Sequence, residues 1–251
     1  MSSLAHTCPL RFFASTFGIM TAQPQKIVLG SCSPRRLELL RQVVSTDRIE
    51  VLPPQSSEEP AFDGLPNWPD IQNWLSETAR SKCDDVLRQL RFITGDRLIR
   101  DVAVVIAADT IIVAADADGK PVVLGQPPED SSGAETVRRW FRDYYFGATH
   151  TAATALCVAT PLGRRAERVV ESAVSFYADT QRWLDWYIAT GEPRGKAGGY
   201  ALQGAGGLFV SQVKGSISNV VGLPLRELLE VLEELEVDVS SKRTLSEYDD
   251  D

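Results

Sequence analysis

The order of apolar runs and amphipathic stripes in this 251-residue chain predicts an α/β or α+β fold. Short β-rich runs alternate with segments whose apolar residues recur at helical spacing. Asp118-Gly119 joins two of those runs with the turn chemistry of a hairpin, and no internal repeat is evident.

Taken in order, "KIVLG" reads as a short buried strand and "SPRRLELLRQVV" as a helix. Ser33 takes the N-cap of that helix, Pro34 its first position, and Leu37, Leu40 and Val44 one face. Pro53 to Pro69 is rich in Pro, Ser, Glu and Asp and reads as a loop. A helix from about Asp70 to Leu90 places Ile71, Trp74, Leu75, Thr78 and Lys82 near one side. The hairpin "VAVVIAADTIIVAADADGKPVVLG" follows, its first strand interrupted by Asp109 and Thr110. A helix over Ser132 to Tyr144 leads into the strand "THTAATALCVAT", which carries His150, then a turn at Pro161-Leu162-Gly163 and a strand through "RVVESAVSFYA". A helix from Thr180 to Thr190 ends at Gly191; its Trp183 and Trp186 have helical spacing and read as core or interface. The glycine-rich stretch to Val210 precedes a further strand, and Leu225 to Leu235 closes the series as a leucine-striped helix. Residues 1–24 read as a flexible extension, with Met20 a conceivable alternative start, 25–238 as the folded domain, and 239–251 as a disordered acidic tail.

Composition excludes several classes. A chain this long buries enough surface to fold without disulfides. Cys8, Cys32, Cys83 and Cys157 form no CxxC pair, and the histidines are His6 and His150, so the usual zinc spacings are absent and reduced thiols are expected. A net charge of -8 argues against a nucleic-acid or membrane-surface partner while leaving room for a local basic pocket. No run of about 18 apolar residues predicts a membrane span.

Two anomalies point to chemistry. Arg35 and Arg36 stand at the second and third positions of the first helix, where the macrodipole favours acids. Either both point into water, or an anion binds there and Ser31, Ser33 and the two guanidiniums form its cradle. Asp109 is a carboxylate inside "AVVIAADTIIVAA", costly to bury unless it is paired, protonated, metal-bound or set at a cleft. Lys82 and Lys196 would complete a polyanion site or else be solvated; Glu58 and Glu59 lie in an acidic loop. Competing motifs fail: "GEPRGKA" has the wrong spacing for a phosphate loop, "GAGGLF" lacks the full dinucleotide fingerprint, and no Gly-x-Ser-x-Gly elbow exists.

Read together, "SCSPRRLELL", "AADTIIV", "GEPRGKAGGYALQGAGGLFV" and "SNVVGLPL" resemble the Maf-like nucleotide pyrophosphatases, in order, from about Lys26 to Leu232. The resemblance implies an α/β fold of the Maf/inosine-triphosphatase type: an elongated mixed β-sheet flanked by helices, with a deep central cleft and often a homodimer. It implies cytoplasmic hydrolysis of dTTP and UTP, or modified pyrimidine nucleotides, to the monophosphate and pyrophosphate, with Mg²⁺, Mn²⁺ or Co²⁺ as divalent cation. By position, Asp109 matches the catalytic acid, and Arg35, Thr110 and Gln203 match residues bearing on substrate choice. Ser31, Ser33, Arg36, Lys82 and Lys196 match positions lining the cleft, while Glu58, with Asp109, is the candidate metal ligand. Gln126 and Ala148 depart from the pattern, standing where the family carries Lys and Arg. A non-catalytic nucleotide-binding regulator of cell division and a phosphatase releasing orthophosphate are the competing readings.

Overall fold

In the computed structural model, residues 25–55, 67–98 and 101–239 are described, so the expectations for residues 1–24, Glu58, Glu59 and the tail from 240 lie outside it. Seven strands form in chain order: Lys26–Leu29 (β1), Ile49–Val51 (β2), Val102–Ala115 (β3), Pro121–Leu124 (β4), Thr149–Ala159 (β5), Arg165–Phe176 (β6) and Val210–Lys214 (β7). The helices are Pro34–Leu40 (α1), Trp68–Leu98 (α2), Gly133–Trp140 (α3), Leu184–Ala189 (α4), Ile217–Val221 (α5) and Leu225–Glu234 (α6).

The strands make one mixed sheet in the order β2-β1-β3-β5-β6-β7, with β4 added beside β3. β1 runs parallel to both β2 and β3, whereas β4, β5, β6 and β7 join antiparallel. On one edge β3 pairs with β5 continuously from Val105 to Val113. On the other edge β1 pairs no further than Ile106, and β4 begins at Ile112. Residues 107–111 therefore face no strand on that edge, and Asp109 and Thr110 sit in the middle of this gap.

α2 covers one face of the sheet, burying Ile71, Leu75, Ala79, Cys83 and Val86 against Val105, Ala107, Ile111 and Ala155. The opposite face carries two apolar clusters side by side. In the first, Leu39 and Leu40 of α1 and Leu228, Val231 and Leu232 of α6 pack on Val104, Ile106, Ala108 and Leu156. In the second, Phe141, Tyr145, Phe176, Tyr187, Tyr200 and Phe209 pack on Ile112, Ala114 and Ala152. Edge-to-face ring pairs dominate this aromatic cluster, as between Phe141 and Phe209 at 4.9 Å.

Several boundaries differ from the sequence expectation for identifiable reasons. α1 begins as expected, with Ser33 Oγ accepting the Arg36 amide, but its regular part ends at Leu40 and Val44 is carried by the turn that follows. α2 starts at Trp68, before the expected Asp70: the Asn67 side chain accepts the Asp70 amide, and Pro69 is tolerated in a first turn whose N–H groups have no intrahelical partner. It also continues beyond Leu90, which is buried, through Phe92, which stands 92% exposed. β2 and α5 were not legible: each is short, and α5 depends on the Ser216 cap and on Gly222 at φ 123 to stop it. Trp183 is half-buried and packs against the aromatic cluster as expected, with Arg182 4.0 Å over its ring, whereas Trp186 is exposed. Val239 packs on the first cluster, which carries the folded region one residue past the expected boundary.

His150 is buried in the aromatic cluster, its Nε2 2.8 Å from the Tyr200 hydroxyl, and burial holds its pKa down to about 3. The unfolded chain takes up this proton below about pH 6.5 and the folded chain does not until about pH 3, so stability is lost as pH falls through that window. Between pH 7 and pH 4 this residue should cost on the order of 3 kcal/mol. Urea denaturation of His150→Gln at both pH values should show a correspondingly shallower loss than the unsubstituted protein; equal losses would refute the assignment.

Candidate active site

The unpaired edge of β3 opens into a cavity of about 960 Å³, lined by the loop from Gly30 to Arg36, by Lys82, Asp109 and Thr110, and by Gln126, Lys196 and residues 220–222. Strand alternation sends Asp109 and Thr110 to opposite faces. Both still reach the cavity, because it lies on the strand's edge and not over one face.

On the α2 face, Lys82 Nζ donates to Asp109 Oδ1 at 2.6 Å, and both side chains are largely buried. The helical stripe that buries Ala79, Cys83 and Val86 is what carries Lys82 to this point. On the other face, the Arg36 guanidinium donates to Thr110 Oγ1 at 3.0 Å, to Ser31 Oγ at 3.2 Å and to the Gly222 carbonyl at 2.8 Å. Ser31 Oγ also accepts the Ser33 amide, which ties the loop to the start of α1. The electrostatic misfit of Arg36 is thus relieved within the protein, by three oxygens, while the side chain still lines the cavity.

Arg35 and Lys196 are placed differently. Both are half-buried, and burial pushes both pKa values down; Lys196 is lowered further by Arg35, while Glu192 pulls each of them up. Lys196 Nζ donates to the Arg194 carbonyl at 3.3 Å. Among the described residues the lining thus holds four cations, Arg35, Arg36, Lys82 and Lys196, and one carboxylate, that of Asp109. In a chain of net charge -8 that is a concentrated positive site, suited to a polyanion.

Of the residues singled out in the sequence, Ser31, Ser33, Arg35, Arg36, Lys82, Asp109, Thr110 and Lys196 all line this one cavity. Gln203 does not: it is exposed and outside the lining. Gln126 is in the lining, so the exchange of Lys for Gln bears on the site, whereas Ala148 is exposed elsewhere. Sequence reasoning missed Glu192, whose carboxylate accepts the Ala205 and Gly206 amides at 2.7 and 2.8 Å and closes the glycine-rich segment on itself. A Cβ on Gly204 would collide with that carboxylate, which is why glycine stands there. It also missed Thr154 and Asn219, behind Thr110.

No three His, Cys, Asp or Glu side chains cluster as a metal site among the described residues. Asp109 is the carboxylate the lining offers, which fits the habit of Mg²⁺ to be held by one or two carboxylates and otherwise by substrate phosphates and water.

The family model for Maf-like proteins matches residues 26–235. The chain belongs to the Maf-like family. Among curated relatives, a dTTP/UTP pyrophosphatase from Anaeromyxobacter dehalogenans (strain 2CP-1) is 39% identical over 210 residues, 82% of this chain and 92% of that protein. One from Chelativorans sp. (strain BNC1) is 36% identical over 209 residues, 83% and 90% of the two chains. Among solved structures, a nucleoside-triphosphatase/dITP/XTP pyrophosphatase from Mycobacterium abscessus aligns at TM-score 0.37 and 17% identity, covering 61% of this chain and 75% of that one. In this Maf-like chain the long motifs read from the sequence converge on one cavity, although each lies on a different element.

Removing one member of the largely buried Lys82–Asp109 pair breaks a 2.6 Å charge-assisted hydrogen bond. Lys82→Met should therefore lower stability by about 3 kcal/mol or more, and Lys82→Met/Asp109→Asn should recover most of it. Urea denaturation of the two single variants and the double variant measures the coupling; additive effects would contradict the pairing.

Proposed function

We propose that this Maf-like protein hydrolyses nucleoside triphosphates, with dTTP and UTP preferred, to the monophosphate and pyrophosphate. The observation that carries the reading is the convergence of Arg35, Arg36, Lys82, Lys196 and the Asp109 carboxylate on the unpaired edge of β3. The names of its relatives support the pyrophosphatase assignment and the pyrimidine preference. So does the combination of Arg35 and Thr110 in the cavity; Gln203, the third residue expected to bear on substrate choice, is exposed outside the lining and adds no support.

In this mechanism Arg35, Arg36 and Lys196, with the Ser31 and Ser33 hydroxyls, hold the triphosphate. A divalent cation, proposed as Mg²⁺ with Mn²⁺ or Co²⁺ as substitutes, supplies further neutralisation of phosphate charge when bound. Asp109, positioned by Lys82, orients a water and accepts its proton as the water oxygen bonds to the α-phosphorus. The α–β anhydride bond breaks and its bridging oxygen leaves with pyrophosphate. Positioning and electrostatics dominate, as in other phosphoryl transfers. The chain is proposed to act in the cytoplasm and as a homodimer. Among the described residues no helix is long and apolar enough to cross a membrane.

Incubating the purified protein with Mg²⁺ and a panel of triphosphates should release pyrophosphate fastest from dTTP and UTP, and orthophosphate as the product would sink the proposal. Asp109→Asn should reduce turnover by about 100-fold or more. Gln126→Lys should lower KM for the triphosphate by several-fold, roughly the effect of one added charge at a partly buried site; an unchanged KM would show that position 126 does not face the phosphates.

A further inference from the structure

A polar seam crosses the sheet on the face opposite α2, where the two apolar clusters meet. Thr110 lies between Ala108 of the first cluster and Ile112 of the second, and Thr154, its directly opposed partner on β5, lies between Leu156 and Ala152. Arg36 Nη2 donates to Thr110 Oγ1 at 3.0 Å, the two threonine hydroxyls are 3.0 Å apart, and Thr154 Oγ1 donates to the Asn219 carbonyl at 3.2 Å. Thr154 and Asn219 are both fully buried. Asn219 is itself held by its Nδ2 on the Ala152 carbonyl and Ser172 Oγ, and by its amide on Ser216 Oγ.

With Thr154 donating to the Asn219 carbonyl, which also accepts the Gly222 amide at 2.9 Å, the seam takes one direction. A carbonyl accepts and cannot donate, so the single hydroxyl proton of Thr154 goes to Asn219. Thr154 must then accept from Thr110, whose own proton is directed inward. Arg36 occupies one lone pair of Thr110. What Thr110 has left for a molecule in the cavity is one acceptor site and no donor. The walls beside it, Ile112, Val220, Val221 and Tyr200, are apolar or aromatic and suit a flat base, while the Lys82–Asp109 pair lies on the other face.

We propose that Thr154, which lies behind the cavity lining, is a positioning residue for base selection. By taking the Thr110 proton it makes Thr110 an acceptor, so the site favours bases that present an N–H there. The ring imide of uracil and thymine does so; cytosine presents an acceptor at the same ring position. This inference rests on the function proposed above and gives its pyrimidine preference a physical source.

The test compares kcat/KM for UTP and CTP in Thr154→Val and Thr154→Ser, with Thr154→Ala as a second hydroxyl-free variant should the valine fail to fold. Losing the hydroxyl frees the Thr110 proton to turn toward the cavity, so the UTP:CTP ratio should fall by about tenfold, the worth of one net hydrogen bond. Thr154→Ser should restore it. Equal losses on both substrates, or a ratio unmoved in the hydroxyl-free variants, would overturn the proposal and leave Thr154 a packing residue. If the unsubstituted protein releases no pyrophosphate from any triphosphate, the proposed function fails instead. Calorimetric Kd values for the non-hydrolysable α,β-methylene analogues of UTP and CTP then read the same ratio and decide the matter for Thr154 alone.

Discussion

The interruption of strand pairing along one edge of β3 is the constraint on which the rest of the site depends. β1 joins that edge parallel and stops at Ile106, and β4 joins it antiparallel and starts at Ile112. With apolar layers on both faces of the sheet, a charged residue at the centre of a β3 paired on both edges would have no open edge through which to reach solvent or a ligand. The gap turns the centre of the most apolar strand into the wall of a cavity. Asp109 and Thr110 can then be polar there without being isolated in the core, and both faces of the strand contribute to a single site.

The positive charge of that site is divided between two kinds of group. Lys82 and Arg36 are already committed within the protein, to Asp109 and to the oxygens of Ser31, Thr110 and Gly222. They fix the geometry of the two polar residues of β3. Arg35 and Lys196 are instead half-buried, and burial penalises their charge. An arriving polyanion relieves that penalty, so these two gain most from a ligand. Glu192 links the two halves of this arrangement: its charge opposes theirs, and its carboxylate clamps the backbone of the segment from which Lys196 projects.

Packing explains why polar residues occur behind the cavity as well as in it. The two apolar clusters on the face opposite α2 do not merge; Thr110, Thr154, Asn219 and Ser172 form a hydrogen-bonded seam between them. A buried polar group is best tolerated when its partners are supplied; the seam supplies the Thr154 hydroxyl and Asn219 Nδ2, while Asn219 Oδ1 stays buried with no hydrogen-bond partner among the described residues. The seam gives the Thr110 hydroxyl two hydrogen-bonding partners, Arg36 and Thr154, which a purely apolar core could not supply.

The resemblance to the Maf-like family brought together the eight residues that share the cavity, while the sequence pattern itself carried the class of fold, the hairpin at Asp118-Gly119, the cap of α1 and the anomalies of Asp109 and the Arg35–Arg36 pair. The latter were legible because they rest on local rules: turn chemistry, helical and strand periodicity, and the cost of charge in an apolar run. Only the tertiary structure decided which of them touch. Lys82 meets Asp109 across 27 positions and Arg36 meets Gly222 across 186, pairings that follow from sheet register and helix docking. The partner of Thr110 is Thr154 because the β3–β5 register sets them opposite one another, and a shift of one residue would turn Thr154 to the other face. Gln203 illustrates the reverse. Its motif is plain in the sequence, but the glycine-rich segment folds so that it is exposed outside the cavity, a result fixed by the Glu192 clamp and the backbone turns around it.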